Sequence, residues 1–399
     1  MKSKASRFFP SLKRLPTIFL MLWLTLLCVR AQAQSSSDPS AAPTNQSWTA
    51  TTEQQLPSSL NPTRTSETHT QAGARTVDIR NMERMGVDGH YVPYLDVQRE
   101  TIKVDATTVR TVERTFGRDS DGRKTLVQVT EEEKRSLPGS EVRVVRTTSN
   151  PDSNGALQVV QREIQDSRQT SPTVQETKKT ILLPSPNGGL AASMQITERE
   201  TKTSDHNLEF RKSTLLPDSN GNWQLSEVRE GTVKNGGKDR TKEERVLRPG
   251  TDGNLSVVER TVSKESENAA GEKRDTVETY SNNLPGTPID GSVRLNQRVT
   301  TVQRMDEHGV QSTEKQVEQR NPAQPSDSPR VTEQAIDIVR PGLAQPEAGS
   351  TTRETHTLRS LDSNGSFGMV SVDTRKQDNS PAIKVDIAPV KPSKPATGH

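Results

Sequence analysis

The chain is short of nearly everything that builds a conventional core. It has twelve aromatic residues in 399, and its apolar share is 28%. Globular domains usually reach about 45–50%, in a count that includes Gly. Phe8, Phe9, Phe19 and Trp23 fall in the first 33 residues, which leaves eight aromatics for the rest. A large packed interior is therefore excluded. The single cysteine, Cys28, lies in the same leading stretch. Once that stretch is removed, no disulfide, thiolate nucleophile or cysteine-bound metal is available.

The motifs of catalysis are missing too. There is no phosphate-binding Walker loop, dinucleotide fingerprint, G-x-S-x-G elbow or H-E-x-x-H pair. The histidines His69, His90, His206, His308, His356 and His399 are scattered. Carboxylate runs such as Glu131-Glu132-Glu133 and Glu243-Glu244 sit among Lys and Arg. They read as solvated strand ends, because acid–base catalysis needs a pocket and shifted pKa values. The sequence thus predicts no enzyme and no cofactor.

Long apolar runs are absent except for one. Leu15 to Val29 follows Lys2, Lys4, Arg7, Lys13 and Arg14 and precedes Ala31-Gln32-Ala33. This is the pattern of a secretory signal peptide over residues 1–33, with Gln34 as the new N-terminus. The run falls short of the ~20 residues that span a bilayer, so no transmembrane span is expected after cleavage. Export also resets the charge. Six basic residues leave (the five above and Arg30), so 54 fall to 48 against 51 acids, and the net charge turns from +3 to −3. A nucleic-acid partner, which needs a basic field, is excluded. Export without disulfides points to a bacterial envelope, periplasmic, cell-surface or extracellular, with an envelope protein or polysaccharide as partner.

What the chain does have is a recurring turn. An Asn-Gly or Asp-Gly pair ends at Gly89, Gly122, Gly155, Gly188, Gly221, Gly253, Gly291 and Gly365, at steps of 33, 33, 33, 33, 32, 38 and 74 residues. The last step is twice 37, and Asp327-Ser328 sits at its midpoint. Pro151, Pro184, Pro217 and Pro249 each lie four residues before the Gly. These residues suit a tight hairpin turn: Gly accepts positive φ, Asn and Asp tolerate it, and Pro ends strand pairing. Apolar residues recur two and four positions after the Gly. Leu157, Val159, Leu190, Trp223, Leu225, Leu255, Val257, Val293, Leu295 and Phe367 are of this kind. Positions two apart share one face of a strand, so they form a candidate interaction stripe.

Between turns the pattern is Thr- and Val-rich with a period near 2, as in Glu141-Val142-Arg143-Val144-Val145-Arg146. This favours strands over helices. Each repeat holds two strands, with a second, variable turn midway, such as Leu137-Pro138-Gly139-Ser140. Residues 75–375 are therefore read as a hairpin-repeat domain of about 18 strands, each roughly 12–14 residues long. The expected fold is all-β: an antiparallel meander forming a largely single-layer, extended and twisted sheet, free to self-associate at its edges. In architecture it resembles the free-standing charged sheet of spirochaete outer-surface lipoproteins. A β-solenoid and a mostly disordered chain are the alternatives. A transmembrane barrel matches the strand count, but the Arg and Glu on both faces speak against it. Residues 34–74, rich in Ser, Thr, Gln and Pro, read as a disordered leader with Trp48 alone in it, and 376–399 as a Pro- and Lys-containing tail. Ile383 to Ile387 would add one edge strand there.

One metal reading arises. Asp119 and Asp121, Asp152 and Asn154, and Asp218 and Asn220 place oxygens at alternate positions before a Gly, somewhat as calcium loops do. No acid follows at a fixed spacing, and a turn in which Asp caps its own backbone explains the same residues. The functional expectation is an exported structural or interaction protein, its sheet acting as spacer, scaffold or binding surface. A calcium-dependent module or enzyme built on the turns, and a disordered envelope linker, are the alternatives.

Overall fold

The computed structural model describes residues 46–55, 62–119, 121–204, 206–282, 293–321, 324, 326–341, 351–362 and 365–378, all within one compact unit spanning 45–399. These residues hold strands and turns and no helix. The strands are β1 (Gln46–Gln55), β2 (Thr63–Ala72), β3 (Arg75–Met85), β4 (Tyr91–Lys103), β5 (Thr108–Arg118), β6 (Lys124–Leu137), β7 (Glu141–Pro151), β8 (Leu157–Ser171), β9 (Val174–Pro184) and β10 (Leu190–Ser204). They continue as β11 (Asn207–Pro217), β12 (Trp223–Asn235), β13 (Asp239–Pro249), β14 (Leu255–Glu267), β15 (Lys273–Ser281), β16 (Arg294–Met305), β17 (Gln311–Gln319), β18 (Arg330–Arg340), β19 (Thr351–Leu361) and β20 (Phe367–Asp378).

Each strand pairs antiparallel with the next, and β1 also pairs with β20, Thr49 opposite Asp378 through Gln55 opposite Val372. The twenty strands thus close into a barrel. This corrects the open extended sheet expected from the sequence. It also removes the free edges on which self-association would depend, since closure abolishes edges. The closing strand comes from the segment read as a disordered leader: residues 46–55 and 63–72 are β1 and β2. Residues 376–378 of the expected tail complete β20. The signal peptide, Gly291 and Ile383 to Ile387 lie outside the described residues.

The turns explain why the strands begin where they do. At Gly122, Gly155, Gly221 and Gly365 the Gly N–H donates to the carbonyl three residues back, while that residue's own N–H donates to the carbonyl just after the Gly. This is a three-residue hairpin loop ending in a left-handed residue. Gly221 has φ +82°, and only Gly supplies that conformation here. The preceding Asp121, Asn154 and Asn220 stay at negative φ, contrary to the tight turn expected from the Asn-Gly pair: Ser140 is the one non-Gly residue at positive φ among those described.

A second regularity sits five residues after the Gly. There the outgoing strand carries an extra residue: Tyr94, Val127, Val160, Ser193, Ser226, Val258, Asn296 and Val370 occupy bulges. Bulges bend a strand and deepen its twist, which is how a flat sheet is curled toward closure. Pairing between one hairpin and the next stops at about the same level. Val129 pairs with Ser149, and Val228 with Leu247, but the residues beyond them toward the turns pair only within their own hairpin. The wall therefore ends in a crown of two-stranded hairpin tips.

The barrel has little core. Among the described residues its buried apolar side chains are small: Ala50, Val77, Val112, Val129, Val228, Val233, Val246, Val317 and Ala335. Ladder hydrogen bonds and side-chain pairs across strands supply the rest of the cohesion.

Candidate functional site

Register decides which residues share a face of the wall. Directly opposed residues lie on the same face, and each bulge shifts the alternation by one. One face carries His356, opposite Asp373, and also Glu67 with Arg80, Glu163 with Lys179, and Arg229 with Glu244. The other carries Asp96, opposite Phe116, and also Arg75 with Glu100, Arg143 with Asp166, and Arg260 near Glu243.

Both faces are laced with ion pairs. On the His356 face Arg80 reaches Glu67 at 2.8 Å and Lys179 reaches Glu163 at 2.6 Å. On the Asp96 face Arg75 meets Glu100 at 2.6 Å and Arg143 meets Asp166 at 2.6 Å. One of these faces must line the lumen, so the lumen is lined by charge. The most enclosed pair is Asp96, whose side chain is 3% exposed and whose Oδ2 takes Arg118 at 2.9 Å and Lys124 at 3.2 Å. A groove of about 470 Å³ crosses β10 to β13, lined by Arg199, Arg211, Arg245, Glu209, Glu230 and Glu243 among others.

The candidate stripe falls on the Asp96 face, on the crown. Leu157 lies opposite Pro151, Leu190 opposite Pro184, Trp223 opposite Pro217, Leu255 opposite Pro249 and Phe367 opposite Leu361. Val159, Leu225, Val257 and Leu295 follow one step below, and Val293 precedes β16. The stripe is not one band across a continuous sheet. It is divided among hairpin tips, where Leu157, Leu225, Leu255 and Phe367 remain 36–46% exposed.

The turn acids are spent on their own backbone. Asp119 Oδ1 accepts the N–H groups of Asp121 and Arg123, Asp152 Oδ1 those of Asn154 and Ala156, and Asp218 Oδ1 those of Asn220 and Asn222. The second oxygens of Asp152 and Asp218 take Gln158 and Gln224. No group of three or more His, Cys, Asp or Glu side chains among the described residues is placed to hold a metal ion.

Sequence reading missed a cluster where the barrel closes. Trp48 on β1 stacks on His69 of β2, with ring centroids 5.3 Å apart and planes at 10°. His69 Nδ1 lies 2.6 Å from Asp78 on β3. Across the closure, His356 on β19 bonds Asp337 on β18. Arg375 on β20 lies over the Trp48 ring at 5.6 Å. A signal was present: Trp48 stands in a Thr-rich run, Ser47-Trp48-Thr49-Ala50-Thr51-Thr52, whose residues favour strands.

By fold, then, this is a closed, twenty-stranded antiparallel β-barrel. The sequence matches no protein-family model and no curated protein. Among solved structures it is similar to the siderophore receptor PirA from Pseudomonas aeruginosa, at 9% identity over 85% of this chain and 81% of that chain, with a TM-score of 0.43. It is similar to the siderophore receptor PirA from Acinetobacter baumannii, at 7% over 84% and 80%, with a TM-score of 0.46. It is also similar to OccK3 (OpdO) from Pseudomonas aeruginosa, at 9% over 84% and 95%, with a TM-score of 0.44.

The expectation of no transmembrane span is corrected by the closure itself. A closed barrel pairs every strand edge, and it is the form in which strands cross membranes. No helix among the described residues is long and apolar enough to cross one, which says nothing of strands. Strands of 9–15 residues also meet the ~9–11 that a tilted spanning strand needs. The side chains differ from the usual lipid-facing pattern, since charges alternate along both faces.

Proposed function

We propose that the protein is exported to the cell envelope and works there as a non-enzymatic barrel whose water-filled, charge-lined lumen passes polar solutes. The observation that carries this reading is the pairing of β1 with β20 around a wall bearing ion pairs on both faces. Barrels of 16–18 strands leave an aqueous channel and 22-stranded ones hold a plug, so twenty strands enclose a wide lumen. The signal-like N-terminus supports export. Purified protein added to a planar bilayer should give stepwise ion conductance. A bilayer that stays sealed, with the protein folded and present, would refute conduction.

A second reading, a scaffold that binds through its crown, is favoured by the exposed Leu157, Leu225 and Leu255 on separate tips. Replacing these three by Gln should abolish capture of the protein by envelope extracts while leaving conductance unchanged. Capture that survives the replacement removes this reading.

A further inference from the structure

We propose that the β1–β20 pairing is a seam that opens ahead of the rest of the wall, and that Arg375 is its clasp. The inference rests on the closure alone and does not depend on conduction.

The seam differs from every other pairing in the barrel. All the others among the described residues join strands that follow one another in the chain. β1 and β20 are separated by everything between Gln55 and Phe367. No turn holds them at high effective concentration, so parting them costs no turn geometry and strains no loop.

Side chains compensate at this place. Arg375 projects from β20 on the His356 face. Its Nη2 reaches over β1 to Glu67 on β2 at 3.2 Å, and its Nη1 reaches back to Glu354 on β19 at 3.7 Å. Its guanidinium covers Trp48 of β1 between them. One side chain therefore ties four strands, two on each side of the seam. A second link runs parallel to it. Thr63 on β2 donates to Gln54 on β1 at 3.2 Å, and Gln54 stands directly opposite Asp373 on β20, which itself lies opposite His356 on its other side. That link is incomplete, because Asp373 Oδ1 is buried without a partner. A half-satisfied buried network is a weak point, which leaves Arg375 as the principal clasp.

Arg298 provides a built-in control. It too bridges two carboxylates, Glu278 at 2.9 Å and Glu318 at 3.0 Å, but from β16 on the Asp96 face, where both belong to adjoining strands that are its neighbours in sequence. If two-carboxylate arginines simply stiffen the wall, Arg298 and Arg375 should be equivalent. If Arg375 is a clasp, they should not be.

The test is backbone hydrogen exchange read by mass spectrometry on the purified protein. In the unaltered protein, segments 49–55 and 372–378 should exchange faster than the equally central segments of β9 and β10. Arg375→Gln should accelerate exchange in those two segments about tenfold while leaving β9 to β13 unchanged, as local opening does. Arg298→Gln should leave the seam unaffected. A disulfide between Thr51→Cys and Lys376→Cys, which face each other across the seam, should abolish the acceleration. Seam protection equal to that of β9–β10 in the unaltered protein would overturn the proposal, and this comparison stands even if R375Q fails to fold. Equal effects of R375Q and R298Q on the seam would overturn the role of Arg375.

Discussion

Gly221 and Gly231 answer the same substitution for different reasons. Gly221 has φ +82° and open space where a Cβ would go. Gly221→Ala therefore meets only the left-handed backbone cost, about 1–2 kcal/mol before the smaller gain from a stiffer unfolded chain. A net loss of about 1 kcal/mol should appear in denaturant unfolding. Gly231 sits in mid-strand, where a Cβ would collide with the Glu243 carbonyl oxygen and lie 2.8 Å from the Phe210 ring. Backbone must move to admit it, so Gly231→Ala should cost about 2–3 kcal/mol, clearly more than Gly221→Ala. Equal losses at the two sites would show that the β12–β13 contact is looser than described.

The turn aspartates set an acid limit. Asp105 is held at about 2, first by the Thr107 hydroxyl and then by the Thr107 N–H. Asp152 is lowered chiefly by the Asn154 N–H, Asp218 by the Asn222 N–H, and Asp252 by the Asn254 side-chain amide. Folded values below the ordinary ~3.9 mean that the ionised form is the better partner in the fold. The stabilisation is complete above about pH 4 and is lost as pH falls toward 2. Melting temperature should fall through that window. Asp218→Asn should keep the turn and lessen the slope, because Asn268 already caps Ala270 and Glu272 in the same manner at another turn. An unchanged slope in D218N would show that Asp218 does not titrate with folding.

At the scale of elements, the hairpin is the unit that the sequence wrote down. The Asn-Gly and Asp-Gly pairs marked the turns, and the run from β3 to β20 holds the 18 strands counted from them. Trp223 and Leu225 share one face of β12, but the alternation changes at Ser226. The change was visible as a parity step: apolar residues stand at four and then seven positions after the Gly, as in Leu126 and Val129 or Leu225 and Val228. An alternation of two would have required six. β1 and β2 escaped notice because no Asn-Gly or Asp-Gly pair separates them and their Thr, Gln and Ser suit a linker as well as a strand. The crown makes its own prediction. Amides of residues 223–225, paired on one side only, should exchange faster than those of 228–233, paired on both. Uniform protection along β12 would mean that neighbouring tips are bonded to one another.

At the scale of the whole molecule, closure was not legible at all. It depends on Ala50 meeting Gln377, a contact with no local signature, and an eighteen-strand count leaves no reason to look for a partner before residue 75. The same scale decides what holds the barrel together. Among the described residues its enclosed apolar side chains are alanines and valines, each removing little area from water. Its cross-strand side-chain contacts include many ion pairs with side chains about a fifth to a half exposed, such as Arg229–Glu244 and Arg260–Glu243. Pairs of that kind contribute about 0.2–1 kcal/mol each and weaken with salt, whose screening length falls to about 3 Å at 1 M. Burial of apolar surface would show no such loss. The melting temperature should therefore fall in 1 M sodium chloride relative to 50 mM. An unchanged or higher value would mean that the few small valines, and the ladder hydrogen bonds beneath them, carry the barrel without help from its charges.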